Sequence, residues 1–219
     1  MPGGFVNLHQ SDAHQALPAW FGKLPGMGDF AQRRLDAHFM QVWDNWLQRG
    51  LLQLRNTHTD WLPHYLQGPV CFFALGAGLV GDRPWLGVLV PSVDAVGRYF
   101  PLTLVVELEP HTVLDDAAGQ WIHRWWGLAA HAAVSALEND LNSAGFDAAL
   151  EQLFAPGPQS VLHEAPHVSA LPGMGQSHWF MCTESAGMAV FATTGLPDGA
   201  AFNALFGMAE RAPVCVQAA

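Results

Sequence analysis

Lysine is almost absent from this 219-residue chain, and charge of either sign is thin. Charged residues make up 13% of the sequence, and among its nine bases Lys23 is the one lysine. Against 19 acids they leave a formal net charge of -10. A chain so poor in bases has no basic stripe for a phosphate backbone, which argues against nucleic acid as a partner. The same sign disfavours an anionic membrane surface. Cysteine is scarce too. Cys71, Cys182 and Cys215 lie far apart, are odd in number and form no Cys-x-x-Cys pair. This excludes a disulfide framework and fits a reducing compartment. Apolar runs long enough to span a bilayer, ~20 residues, are missing. The first 17 residues lack the basic start and apolar core of a signal peptide. The expectation is a cytoplasmic protein with a flexible tail over 1–17 and a single domain over 18–219.

Apolar residues, by contrast, are plentiful. They make up 50% of the chain, enough to exclude overall disorder. At this length roughly 70% of the surface is buried on folding. Residues 35–54 place Leu35, Phe39, Val42, Trp43, Trp46, Leu47, Leu51 and Leu54 at steps of three and four, one stripe of a helix. Gly50 marks a point where that helix is expected to break or bend. Strands are predicted at 70–75, 84–90 and 100–108, joined by connections short enough for an antiparallel meander. A long helix follows at 117–141 and a shorter one at 146–154. Strands return at 178–183 and 188–193, with a last helix at 200–208. Strands and helices come in blocks, which argues for an α+β domain, a mostly antiparallel central sheet with helices packed on its faces. Trp61, Trp126 and Trp179 fall off the helical stripes and read as candidates for exposure.

Two motifs match a pattern but not its context. The run from His163 to His167 fits His-Glu-x-x-His, whose zinc chemistry needs both imidazoles on one helix. Pro166 lies between them, and proline inside a helix costs ~3 kcal/mol. Loop histidines are expected there, and no metal. Residues 76–81, GAGLVG, fit the dinucleotide fingerprint and follow a strand, but the required helix does not come next. A hairpin loop is expected instead. Neither the Gly-x-Ser-x-Gly elbow nor a phosphate loop occurs. A triad assembled in space from Ser92 and a histidine would remain invisible to such a search, so a hydrolase stays as the enzyme alternative. A structural subunit of a larger apparatus is the third reading.

Two longer segments are more specific. The first, residues 20–33, reads WFGKLPGMGDFAQR. The second, residues 91–103, reads PSVDAVGRYFPLT. Both resemble the TagF family of type VI secretion system-associated proteins, whose members read like GKLPxxGDFxxR and PSVDxVGRxFPLT. Weaker similarity extends to Ser177, Trp179, the Gly195-Leu-Pro197 turn, Phe202 and Leu205. The resemblance implies a cytoplasmic regulator that restrains secretion after translation. It implies a forkhead-associated scaffold protein of the apparatus as partner, with no cofactor and no catalytic residues. Some relatives are fused to a protein phosphatase; this chain would act as the stand-alone form.

Each motif carries an acid and a base four residues apart, Asp29 with Arg33 and Asp94 with Arg98. Gly28 and Gly97 are expected to supply the turns. One reading makes these pairs staples between adjacent loops. The other makes Lys23, Asp29, Arg33, Asp94, Arg98 and Tyr99 a mixed-charge face for a protein partner, since Arg and Tyr are favoured at such contacts.

Overall fold

The computed structural model describes residues 16–110, 112–156, 163–183 and 187–208. Its chain order is β1 (Ala19–Gly22), β2 (Ala31–Arg33), α1 (Ala37–Thr57), α2 (Trp61–Leu66), β3 (Cys71–Leu75), β4 (Trp85–Val90), β5 (Leu102–Glu107), α3 (Asp116–Glu138), α4 (Ser143–Leu153), β6 (Gln176–Thr183), β7 (Gly187–Thr194) and α5 (Gly199–Ala204). The strands form one seven-stranded sheet in the order β2-β1-β5-β4-β3-β6-β7. Every neighbouring pair is antiparallel. The α+β domain with an antiparallel central sheet is therefore what the chain builds, and β3-β4-β5 is the expected meander.

Helices cover both faces. Phe72, Ala74, Leu86, Val88, Leu102 and Leu104 point to one side, where α3 and α4 pack through Ile122, Trp125, Trp126 and Phe146. Phe73, Leu75, Trp85, Leu89, Val105 and Trp179 point to the other, against α1 and α5. A sheet buried on both faces has continuous apolar strands, which is why the β3 run is apolar at every position. It also explains Trp179. As an inward residue of an interior strand it is fully buried, as is Trp126 on the broad apolar face of α3. Neither is one of the exposed aromatics that their place off the helical stripes allowed, and Trp61 is half-buried at the start of α2.

Helix starts follow their sequence signals. Asp36 caps α1 by accepting from the Phe39 N–H, Asp115 caps α3 from Ala118, and Asn142 caps α4 from Gly145. α1 runs unbroken through Gly50, contrary to the break expected there. The glycine instead makes room for a neighbour, because a Cβ at position 50 would collide with the Phe202 ring of α5. The segment 76–81 is a turn between β3 and β4, closed by the Gly78 N–H to the Gly81 carbonyl at 2.7 Å, with no helix behind it. Residues 163–167 are irregular, so the helix a zinc motif needs is not formed. Most of the expected N-terminal tail lies outside the described residues. Ala16, at its end, accepts a hydrogen bond from the Trp125 indole at 2.9 Å.

Candidate functional site

The two sequence segments meet at one corner of the sheet. β1 ends at Gly22 and delivers Lys23 and the loop 24–30; β4 ends at Val90 and delivers the loop 91–101. The second loop folds back on itself through a bridge between Val93 and Tyr99. Gly97 forms its tip at φ 81°, a left-handed conformation that glycine alone adopts freely. Gly28 has no such requirement, and a Cβ there would stand 4.0 Å from the nearest neighbour, Val96. The loops are tied by the Ala95 N–H to the Met27 carbonyl at 3.0 Å, and by the Ser92 hydroxyl donating to the Lys23 carbonyl at 2.8 Å. Tyr65 of α2 braces the second loop from below. Its hydroxyl donates to the Ser92 carbonyl at 2.9 Å and accepts from the Ser92 N–H at 3.0 Å. Burial pushes the Tyr65 phenol well above its ordinary pKa, although the Ser92 hydrogen bond and Arg55 pull the other way, so it keeps its proton.

Asp94 is the centre of this corner. Its side chain is fully buried, and that of Lys23 is 5% exposed. Oδ2 accepts from the Lys23 ammonium and from Arg98 Nε at 2.7 Å. Oδ1 accepts from the main-chain N–H groups of Arg98 at 2.8 Å and Val96 at 3.1 Å. Burial alone would raise its pKa. The Lys23 and Arg98 donors and the Val96 N–H outweigh burial and hold the carboxyl well below the usual carboxylate range.

Of the six residues singled out in the sequence, five gather here. Lys23 and Asp94 form the inside of the corner and offer no contact surface, since their charges are used on each other. This corrects both Lys23 and Asp94 as residues that a partner would touch. Arg98 is the bridge: it pairs inward with Asp94 and outward with Asp29, 3.5 Å away. Tyr99 packs edge-on against Trp61 and Tyr65. Arg33 lies elsewhere. It is 3.8 Å from Asp147 of α4, and Arg34 bonds the same carboxylate at 2.6 Å. The expected Asp29–Arg33 pair does not form, because Arg33 sits opposite Trp20 in the β1–β2 register while Asp29 stays in the loop beyond it.

The outer surface carries residues the sequence reading passed over. Phe30 is 47% exposed, stacks on Phe21, meets Phe100 at 4.8 Å and lies 4.5 Å from the Lys23 ammonium. Val96 is 68% exposed. An apolar residue within two positions of a loop glycine, Gly28 or Gly97, was the available signal for both. Ser92, the candidate nucleophile, is buried, and its hydroxyl proton is committed to Lys23; no imidazole bonds it among the described residues. His123 and His167 stack with ring centroids 4.1 Å apart, and the described residues contain no group of three ligands suited to a metal. No helix among the described residues is long and apolar enough to cross a membrane. Chemically, the corner is a braced ion cluster under an exposed face of Phe30, Val96, Asp29 and Arg98.

Residues 19–153, which span both segments and the corner they build, match the TagF N-terminal domain, a type VI secretion system-associated family. The chain belongs to the TagF family. Among solved structures it is similar to the crystal structure of PA0076 from Pseudomonas aeruginosa PAO1, with 30% sequence identity and a TM-score of 0.70. That match covers 90% of this chain and 98% of the other. No curated protein matches the chain. The TagF match takes in β1 to β5, α1 to α3 and all of α4, so the corner lies within the family's own domain.

Proposed function

We propose that this TagF-family protein is a cytoplasmic accessory of type VI secretion that restrains the apparatus after translation by binding a scaffold component, and that it does so as a binding protein and not as an enzyme. The observation that carries this reading is the corner itself. Its buried Asp94 has its bonds filled by Lys23, Arg98 and Val96, and no base bonds its Ser92 hydroxyl among the described residues. Such a site has nothing to transfer. It does hold two loops rigidly, with apolar and charged side chains facing outward, and pre-ordered loops lose less entropy on association. The partner in this reading is a forkhead-associated scaffold protein, the one that the family resemblance implies.

The test is deletion of the gene in its own bacterium, read by the amount of effector protein secreted. Increased secretion is expected. Restoring the wild-type gene brings secretion back down, whereas Asp29→Lys/Val96→Asp does not, although that variant keeps the wild-type melting temperature. Unchanged secretion on deletion overturns the restraining role, and abolished secretion makes the protein a structural part of the apparatus.

A further inference from the structure

Beside the corner, α1 and the Tyr99–Phe100 segment enclose an open groove of about 390 Å³, lined by Gln48, Arg49, Leu51, Leu52, Arg55, Tyr99 and Phe100. Arg49, Leu52 and Arg55 are spaced three apart and so lie along one row of the helix surface. Leu52 is 60% exposed, an apolar residue set between two guanidinium groups.

The bases of the chain are distributed unevenly with respect to their partners. Lys23 and Arg98 serve Asp94, Arg33 and Arg34 serve Asp147, and Arg83 faces Glu107. Among the described residues no carboxylate pairs with Arg49 or Arg55. Arg49 donates from Nε to the Asn45 carbonyl of its own helix, and Arg55 lies 4.6 Å over the Trp61 ring. Both remain exposed and positively charged, in a chain whose formal net charge is -10. The described residues that line the groove include no acid. The neighbouring cleft on the other side of Arg49 includes Asp198 and lacks this asymmetry. Two uncompensated guanidiniums flanking an exposed leucine match a ligand with carboxylates on either side of an apolar side chain. Guanidinium groups pair with carboxylates in bidentate geometry, and Leu52 with the Tyr99 and Phe100 rings gives the apolar anchor its contact.

We infer that this groove is a docking site for an acidic segment of a protein partner, one that places a Leu or Phe between Asp or Glu residues. The inference rests on the proposed role as a binding protein and names the chemistry of what is bound. Tyr99 belongs to both the groove and the corner, so an occupant of one would also touch the loop tip.

The experiment uses the full chain and a fluorescein-labelled peptide, Gly-Asp-Glu-Leu-Phe-Asp-Glu-Gly, with its Asn/Gln counterpart as control, read by fluorescence anisotropy. The acidic peptide is expected to bind on the order of ten-fold more tightly than the neutral one, and to weaken as salt rises. Arg49→Glu, which leaves the Arg55–Trp61 stack in place, should reduce that preference with the melting temperature unchanged, and Arg49→Glu/Arg55→Glu should remove it at some cost in melting temperature because the stack is lost. Leu52→Glu, which leaves both arginines and the Arg55–Trp61 stack in place, should weaken binding as well. Equal binding of the two peptides, no binding of either, or a preference that survives these variants overturns the groove as an acidic docking site. Secretion on gene deletion is scored separately: a groove that fails with restraint intact leaves the regulatory role standing. A groove that binds with no effect on secretion sinks the role alone.

Discussion

Asp94 shows how far one residue's meaning depends on its distant partners. Its bond to Arg98, four residues on, was readable from spacing; its bond to Lys23 spans 71 positions and was not. The Asp29–Arg33 spacing was the same and gave no pair, because a strand of the sheet intervenes and carries Arg33 to Asp147. The Asp94 cluster predicts a stability effect. Replacing Asp94 by Asn leaves the Lys23 ammonium buried without its counter-charge, and breaking a buried pair from one side costs about 3–5 kcal/mol. Urea unfolding at neutral pH should show a loss of that order for Asp94→Asn, and partial recovery in Lys23→Met/Asp94→Leu, where neither charge is stranded. The pH dependence has a definite sign. The folded carboxyl titrates far below the unfolded one, so its contribution is complete above the unfolded pKa of ~3.9 and is lost as pH falls below it. Wild-type stability should therefore fall more steeply than that of Asp94→Asn below about pH 4. Gly97→Ala is a gentler probe of the same loop. At φ 81° an alanine is strained, and a loss of roughly 1–2 kcal/mol is expected in the same assay.

At the scale of elements, the long amphipathic helices and the apolar strands were legible because each follows a period or a continuous run. α1, α3 and the β3-β4-β5 meander appear within a few residues of their expected limits. Two elements were not legible. β2 has three residues and exists because β1 supplies a partner for it. α2 has six residues with Pro63 in its first turn, too few for any period to emerge. The groove flanked by Arg49 and Arg55 was hidden for a different reason. Leu52 falls off the apolar stripe in plain sight, but its neighbour across the groove, Tyr99, comes from another element. Gly50 sits within the best helix pattern of the chain, where propensity points to a break but the packing partner, which propensity does not contain, decides. Alanine there gains ~1 kcal/mol of helix propensity, yet its Cβ would collide with the Phe202 ring. Overpacking of this kind costs 1–3 kcal/mol in typical cores. Gly50→Ala should therefore lower the urea midpoint despite the better helix former. Gly50→Ala/Phe202→Leu should recover much of the loss, because the smaller side chain vacates the space. A Gly50→Ala variant more stable than wild type would show that α5 moves aside freely and that the close approach of the two helices does not constrain the fold.

The whole molecule should be weakened by acid in two stages, because the groups responsible titrate in different ranges. His163 is lowered by burial and then by nearby His131, against a smaller pull from Glu164. His178 is lowered by burial, against the Ala170 main-chain bond. A histidine whose folded pKa is depressed stays neutral in the fold and takes up a proton more readily when unfolded. Its contribution is present above the unfolded value of ~6.5 and is lost as pH falls through the folded one. The first stage is thus expected just below pH 6.5, and the second in the carboxylate range, where Asp94 and Asp147 are both held low. Asp147 is opposed by its own burial, but Arg34, Trp20 and Arg33 prevail. Glu107 acts in the reverse direction. Burial raises it despite Arg83, so its contribution is greatest in acid and it blunts the second stage. Urea midpoints measured from pH 7.5 to 3.5 should show both declines. His163→Gln/His178→Gln should flatten the first and leave the second, since the corner carboxylate lies on a different part of the sheet. A first stage that persists unchanged in that double variant would overturn His163 and His178 as its origin.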